Sequence, residues 1–176
     1  MKKITMIFAA MVLMLMGTTT QAQSVTDALF DKYGAKDGFT TVHITKELFS
    51  LFAEVTQGAD SEDMQELNKV VQGLDYIRIL MLEDTMKTKQ LTDFRNELNG
   101  VKLKDFSELM TVNEGGESVK FMIRKNGKNI NELLLIINQP NEAGFISITG
   151  NIDLKTIAKL SKSMNIDGMQ NLEKIK

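Results

Sequence analysis

The chain holds one histidine, His43, and no cysteine. Thiolate catalysis and cysteine metal sites are therefore excluded, and an oxidising compartment would supply no cross-link. His43 stands between Val42 and Ile44, so in a strand its side chain points away from both. Beside a carboxylate or a serine it would serve as a general base. The plainer reading, and the weightier one, is a strand histidine on a solvated or half-buried face. Ser50 and Ser107 are the hydroxyls from which a Ser-His-Asp triad could be drawn, yet neither lies in a Gly-x-Ser-x-Gly turn.

Asp60, Glu62, Asp63 and Glu66 form an acidic cluster. A calcium loop needs alternating oxygen ligands around a glycine turn. These residues instead straddle a helix start, where capping and the helix dipole account for them. Asn165-Ile166-Asp167-Gly168 is equally short of ligands and reads as a turn. Lys87, Lys89, Arg95, Lys102 and Lys104 make the middle of the chain locally basic. No aromatic residues interleave to stack bases, so a solvated face is the better reading. There is no phosphate-cradling glycine loop. No catalytic residue, cofactor or metal ligand is expected, and the enzyme reading rests on the His43 region alone.

The elements that would position these residues follow an apolar leader. Lys2 and Lys3 precede the apolar run from Ile4 to Met16, which is too short to span a bilayer and matches a signal h-region. Thr20 and Ala22 supply the small side chains at −3 and −1, predicting cleavage between Ala22 and Gln23. Residues 1–22 are thus expected to be a signal peptide. Leu15-Met16-Gly17 would open a lipoprotein box, but Thr18 stands where the cysteine must be, so no lipid anchor is expected. Nor does residues 23–176 contain a transmembrane segment. The remaining 176 − 22 = 154 residues carry a charge of 19 − 23 = −4, because the leader holds two basic residues and no acidic one. That balance argues against nucleic acid as a partner, and 43% apolar residues indicate a packed core.

Residues 23–176 read as a single α+β domain: a short helix at 24–33, a core over 39–164, and a charged tail at 165–176. Ser24 is placed to cap the first helix, with Val25, Ala28 and Leu29 on one face. Phe39 to Thr45 is a strand, and Lys46 to Val55 a helix in which Leu48, Leu51, Phe52 and Val55 recur at helical spacing. A second helix begins at Asp60 or Ser61, has Met64, Leu67, Val70 and Val71 as its buried stripe, and ends at Gly73. Leu74 to Leu82 is apolar on both faces and predicts a central strand. A helix from about Thr88 to Asn99 turns Leu91, Phe94 and Leu98 inward. Phe106 to Val112, Ser118 to Arg124, Ile130 to Asn138 and Phe145 to Ile152 are strands in a hairpin series, with Asn126-Gly127 as its strongest turn signal. Asp153 would cap a closing helix bearing Leu154, Ile157 and Leu160. Hairpins demand an antiparallel sheet, and the simplest packing is a two-layer α+β sandwich with helices mainly on one face.

That arrangement creates a problem at Ile130 to Asn138. Ile130, Glu132, Leu134 and Ile136 share one face, and Leu133, Leu135 and Ile137 share the other. Helices on one side would leave Leu133, Leu135 and Ile137 as a candidate interaction surface. The competing reading is that a terminal helix covers them.

Phe30-Asp31-Lys32-Tyr33, Lys36-Asp37-Gly38-Phe39-Thr40 and Val42-His43-Ile44-Thr45 resemble the opening of domain-of-unknown-function family 4252. The strand Asp75-Tyr76-Ile77-Arg78-Ile79-Leu80 and the hairpin from Leu109-Met110-Thr111-Val112 to Ile123 are also similar to that family. The resemblance implies a secreted or anchored envelope protein of Gram-negative bacteria without a defined catalytic residue. Its gene surroundings imply a link to envelope stress or signalling. The expected function is therefore a non-enzymatic interaction module whose partner is another envelope protein. The alternative is a small periplasmic hydrolase or apolar-ligand binder using the His43 region.

Overall fold

The computed structural model describes residues 24–56, 62–84, 86 and 88–153. The proposed leader, the helix start at Asp60 or Ser61, the closing helix after Asp153 and the tail lie outside them.

Element order is α1 (Val25–Tyr33), β1 (Phe39–Thr45), α2 (Lys46–Val55), α3 (Glu62–Gly73), β2 (Leu74–Glu83), α4 (Lys89–Gly100), β3 (Phe106–Glu114), β4 (Glu117–Asn126), β5 (Asn129–Gln139) and β6 (Glu142–Ile152). The strands form one six-stranded sheet in the order β1-β2-β6-β5-β4-β3, and every adjacent pair is antiparallel. β3 to β6 run as a meander. The last strand then pairs its free edge with β2, through contacts such as Leu80↔Phe145 and Leu82↔Ala143.

Local chemistry explains the turns. Gly115 and Gly116 link β3 to β4 with φ of 57° and 91°, a conformation that glycine adopts without steric cost. The β4–β5 turn uses Gly127 and Lys128, flanked by the Asn126↔Asn129 pair, one place later than an Asn126-Gly127 turn. At Gly150 φ is 146°, and a Cβ there would collide with the Gly73 carbonyl oxygen. This close approach lies beside the register shift between Leu74 and Tyr76.

The fold is α+β with a dominant antiparallel sheet, as the hairpin signals require. The helices, however, are divided between both faces and do not gather mainly on one. On one face Leu29 of α1 and Leu91, Phe94 and Leu98 of α4 pack with Leu80, Leu134 and Phe145. On the other, Phe49 of α2 and Val70 and Val71 of α3 belong to a core with Leu74, Leu133, Leu135 and Ile152. The reason is the doubly apolar character of β5: Leu133 and Leu134 point to opposite faces and neither is exposed to solvent to more than 1%. In α1 the buried positions are Thr26 and Leu29, while Val25 and Ala28 face outward. The helix is thus rotated from the Val25, Ala28 and Leu29 face that spacing suggests, and polar bonds set the rotation.

Candidate functional site

Those polar bonds converge on Glu132, whose exposure is 0%. Each carboxylate oxygen receives two donors. Thr26 Oγ1 donates to Oε1 at 2.8 Å and Ser147 Oγ at 2.7 Å. Ser24 Oγ donates to Oε2 at 3.3 Å and Arg124 Nη2 at 2.6 Å. An unpaired carboxylate in such a place would cost several kcal/mol; four donors, one of them a guanidinium, offset that penalty. Ser24 occupies the N-cap of α1, yet its side chain makes no capping bond; its one proton is shared between Glu132 and the Thr26 oxygen, which lies 2.8 Å away. Arg124 remains 26% exposed in its side chain, so the network runs from the interior to the surface.

A second polar group lies under the same helix. Arg78 of β2 forms an ion pair with Asp27 at 2.5 Å, and the Tyr76 hydroxyl donates to Asp27 at 3.1 Å. The Arg78 guanidinium sits over the rings of Phe30 and Tyr76, at 5.1 and 4.7 Å, and burial pushes the Tyr76 hydroxyl above its ordinary range.

His43 is exposed on β1 and faces those rings edge-on, 5.9 Å from Phe30 and 6.0 Å from Tyr76. Its side chain makes no hydrogen bond or ion pair among the described residues. Asp27, the carboxylate bound by Tyr76, is committed to Arg78 and Tyr76. Ser107 lies on β3, at the opposite edge of the sheet from β1. Ser50 lies on α2, whose core contact Phe49 is on the other face. Among the described residues neither Ser50 nor Ser107 is brought to His43, and no triad is assembled. Among the described residues no group of three or more His, Asp or Glu could hold a metal ion.

Leu133 and Leu135 are 0% and 7% exposed, and Ile137 is partly buried. The candidate surface Leu133, Leu135 and Ile137 is therefore corrected: its first two members belong to the core. The bare apolar surface lies instead on α2. Phe49 and Ala53 face the core there, whereas Leu48, Leu51, Phe52 and Val55 are 54%, 58%, 37% and 85% exposed. At about 100° per residue these four cover a sector about 100° wide beside the buried one. Glu47 and Glu54 occupy the polar sector next to Leu51, and the Glu47 carboxyl is held below its usual range chiefly by a hydrogen bond with Thr45. At its C-terminal end α2 is fixed to α3 by Thr56, whose hydroxyl is 2.6 Å from Asn68 Oδ1.

Spacing alone marked Leu48, Leu51, Phe52 and Val55 as a helix face without saying which way it turns. Glu132 carried a clearer signal: a lone carboxylate inside an apolar strand must find partners.

The architecture defines an α+β protein built on an antiparallel meander closed by β2, with two helices described on each face. The chain belongs to the family whose model, Domain of unknown function (DUF4252), matches residues 33–160. Among curated proteins none matches it. Among solved structures it is similar to cyanobacterial PsbP (CyanoP) from Synechocystis sp. PCC 6803, at 11% identity over 79% of this chain and 81% of that one, with a TM-score of 0.25; a likeness of that size carries no functional argument. No helix among the described residues is long and apolar enough to cross a membrane.

Proposed function

We propose that the protein is an exported, non-enzymatic interaction module of the cell envelope that docks an amphipathic helix of a partner protein along α2. The observation that carries this reading is the outward apolar sector of Leu48, Leu51, Phe52 and Val55. Contiguous apolar surface of this kind is costly to leave in water and marks contact sites. A helix of ten residues is about 15 Å long, and four side chains present far less than the roughly 800 Å² per partner of a standard protein interface. The site therefore fits one helix laid alongside, in the helix-recognition mode, better than a broad face between two copies. Glu47 and Glu54 favour basic residues on the partner's flank.

The apolar cavity between α1, α4 and the sheet, lined in part by Leu29, Leu98, Leu134 and Phe145, measures about 10 Å³, the space of a single water, so an apolar ligand is not housed there.

In-cell cross-linking of the tagged protein, read by mass spectrometry, tests the proposal. A reproducible envelope partner, lost in the Leu51→Asp/Val55→Asp variant while its circular dichroism and melting temperature stay unchanged, supports it. Equal capture by wild type and variant overturns the assignment of the surface to α2.

A further inference from the structure

The sheet ends in two open edges, β1 and β3, and they are built differently. An open edge presents N–H and C=O groups that template pairing with another chain, and bulges, charged side chains or proline usually blunt it. β3 carries such devices. Its register shifts between Glu108 and Met110, and Glu108 and Glu114 put charge along it. β1, with the sequence FTTVHIT, holds no Asp, Glu, Lys, Arg or Pro. Its register against β2 runs unbroken from Phe39↔Leu82 to Thr45↔Tyr76. Alternate residues of an antiparallel strand turn both backbone groups to one neighbour, and the residues between turn theirs outward. From Thr40 to Ile44 no backbone bond beyond the ladder with β2 is formed among the described residues. Val42, in the middle of the strand, is 37% exposed.

We propose that the β1 edge pairs antiparallel with β1 of a second copy of this chain, joining two sheets into one. The strand's residues suit self-pairing. A two-fold axis at Val42 sets that residue against its own copy, Thr40 against Ile44, and Thr41 against His43 of the second copy. Each pair then shares a face of the sheet, whereas a slip of one residue would oppose the two faces. β-branched side chains meet on the face of Val42 and Ile44, and no like charges are opposed. The contact is also closed. It uses the unblunted edge of both copies and leaves outside only the β3 edges, where the bulge and the glutamates stop further addition. Seven residues span about 23 Å, a small contact, so dissociation in the roughly micromolar range is expected. The pairing does not rest on the α2 reading. Because α2 packs over β1 and β2, the axis sets one copy of α2 on each side of it, on the same face of the joined sheet.

Sedimentation velocity of the purified protein, from low micromolar to submillimolar concentration, tests the assignment. A shift from monomer to dimer with rising concentration is expected. Val42→Lys, which opposes two ammonium groups at the axis, should weaken the dimer at least about tenfold, with the melting temperature of the dilute protein unchanged. Thr40→Lys, at an exposed position, should do the same and decides the matter if Val42→Lys fails to fold. Leu51→Asp/Val55→Asp should dimerise as the wild type does, which separates this edge from the α2 surface. The chain has no cysteine, so Val42→Cys supplies a single thiol. Antiparallel partners stand about 4.5–5.5 Å apart at Cα, within disulfide reach, and mild oxidation should give a covalent dimer that Thr111→Cys on β3 does not. A monomer at every concentration, a dimer that tolerates both lysines, or one lost only in the α2 variant overturns the proposal.

Discussion

Thr26 in the first turn of α1 and Glu132 in the middle of β5 lie 106 positions apart and share a buried hydrogen bond of 2.8 Å. Through it the first described helix is tied to the centre of the sheet, with Ser147 of β6 and Arg124 of β4 on the same carboxylate. Removing the carboxylate leaves three hydroxyls and a guanidinium facing a hole. Glu132→Ala is expected to cost about 3–5 kcal/mol in urea denaturation, a large share of a domain's usual 5–15 kcal/mol. Hydrogen exchange should show α1 losing protection before the sheet does. A loss under about 1 kcal/mol would show that the network does not hold the helix.

The two apolar faces should respond oppositely to charge. Leu135→Lys buries an unpaired ammonium among Phe121, Ile123 and Leu133 and is expected to prevent folding or cost at least about 4 kcal/mol. Leu51→Asp at the exposed α2 sector should change stability by no more than about 0.5 kcal/mol. Thermal melts of the two variants side by side decide it; equal destabilisation would mean that α2 packs against something else in the folded chain.

Most of the elements were legible in the residues, because each carries its own periodicity. Phe39–Thr45 and Lys46–Val55 are bounded by the change from β-branched alternation to helical spacing, and Leu91, Phe94 and Leu98 face inward as their spacing requires. Sheet order was not legible, since the pairing of Leu82 with Ala143 is a long-range choice that neither local pattern encodes. The orientation of α2 was hidden for a related reason. Helical spacing shows that an apolar sector exists, while contact with the sheet through Phe49 and Ala53 decides that this sector points outward.

Glu142 provides a pH test. Burial, aided by repulsion from Glu83 and Glu117, pushes its carboxyl above the ordinary glutamate range. A raised folded-state value means that the protonated form is favoured on folding. The resulting stabilisation is fully present below the unfolded pKa and is lost as pH rises through the folded value. Glu142→Gln should therefore stabilise the protein at pH 7 by about 0.5 kcal/mol, with the gain shrinking toward pH 4. Denaturant midpoints across that range check it; a gain that grows on acidification would contradict the assignment.

Gly144 is a steric requirement of the central strands. A Cβ there would strike the Leu80 carbonyl oxygen and the Met81 side chain. Gly144→Val is expected to destabilise by at least about 3 kcal/mol, visible as aggregation or a lowered melting temperature, whereas Gly115→Asn at the open β3–β4 turn should be nearly neutral. Comparable losses at the two positions would show that the strand contact is not the controlling one.

His43→Ala should leave folding intact, since the ring is exposed and meets only the edges of Phe30 and Tyr76. A stability change within about 0.5 kcal/mol and unchanged partner capture are expected. Loss of a hydrolytic activity in this variant would restore the general-base reading.

The position of β6 between β2 and β5 sets the timetable of folding. Without residues 142–152, β1 with β2 and the β3–β5 meander are two fragments, each with an unpaired edge. A single strand joins them, and the long loop that its pairing with β2 closes makes that step slow relative to hairpin formation. Until it is complete the open edges of β2 and β5 are templates for pairing with another chain.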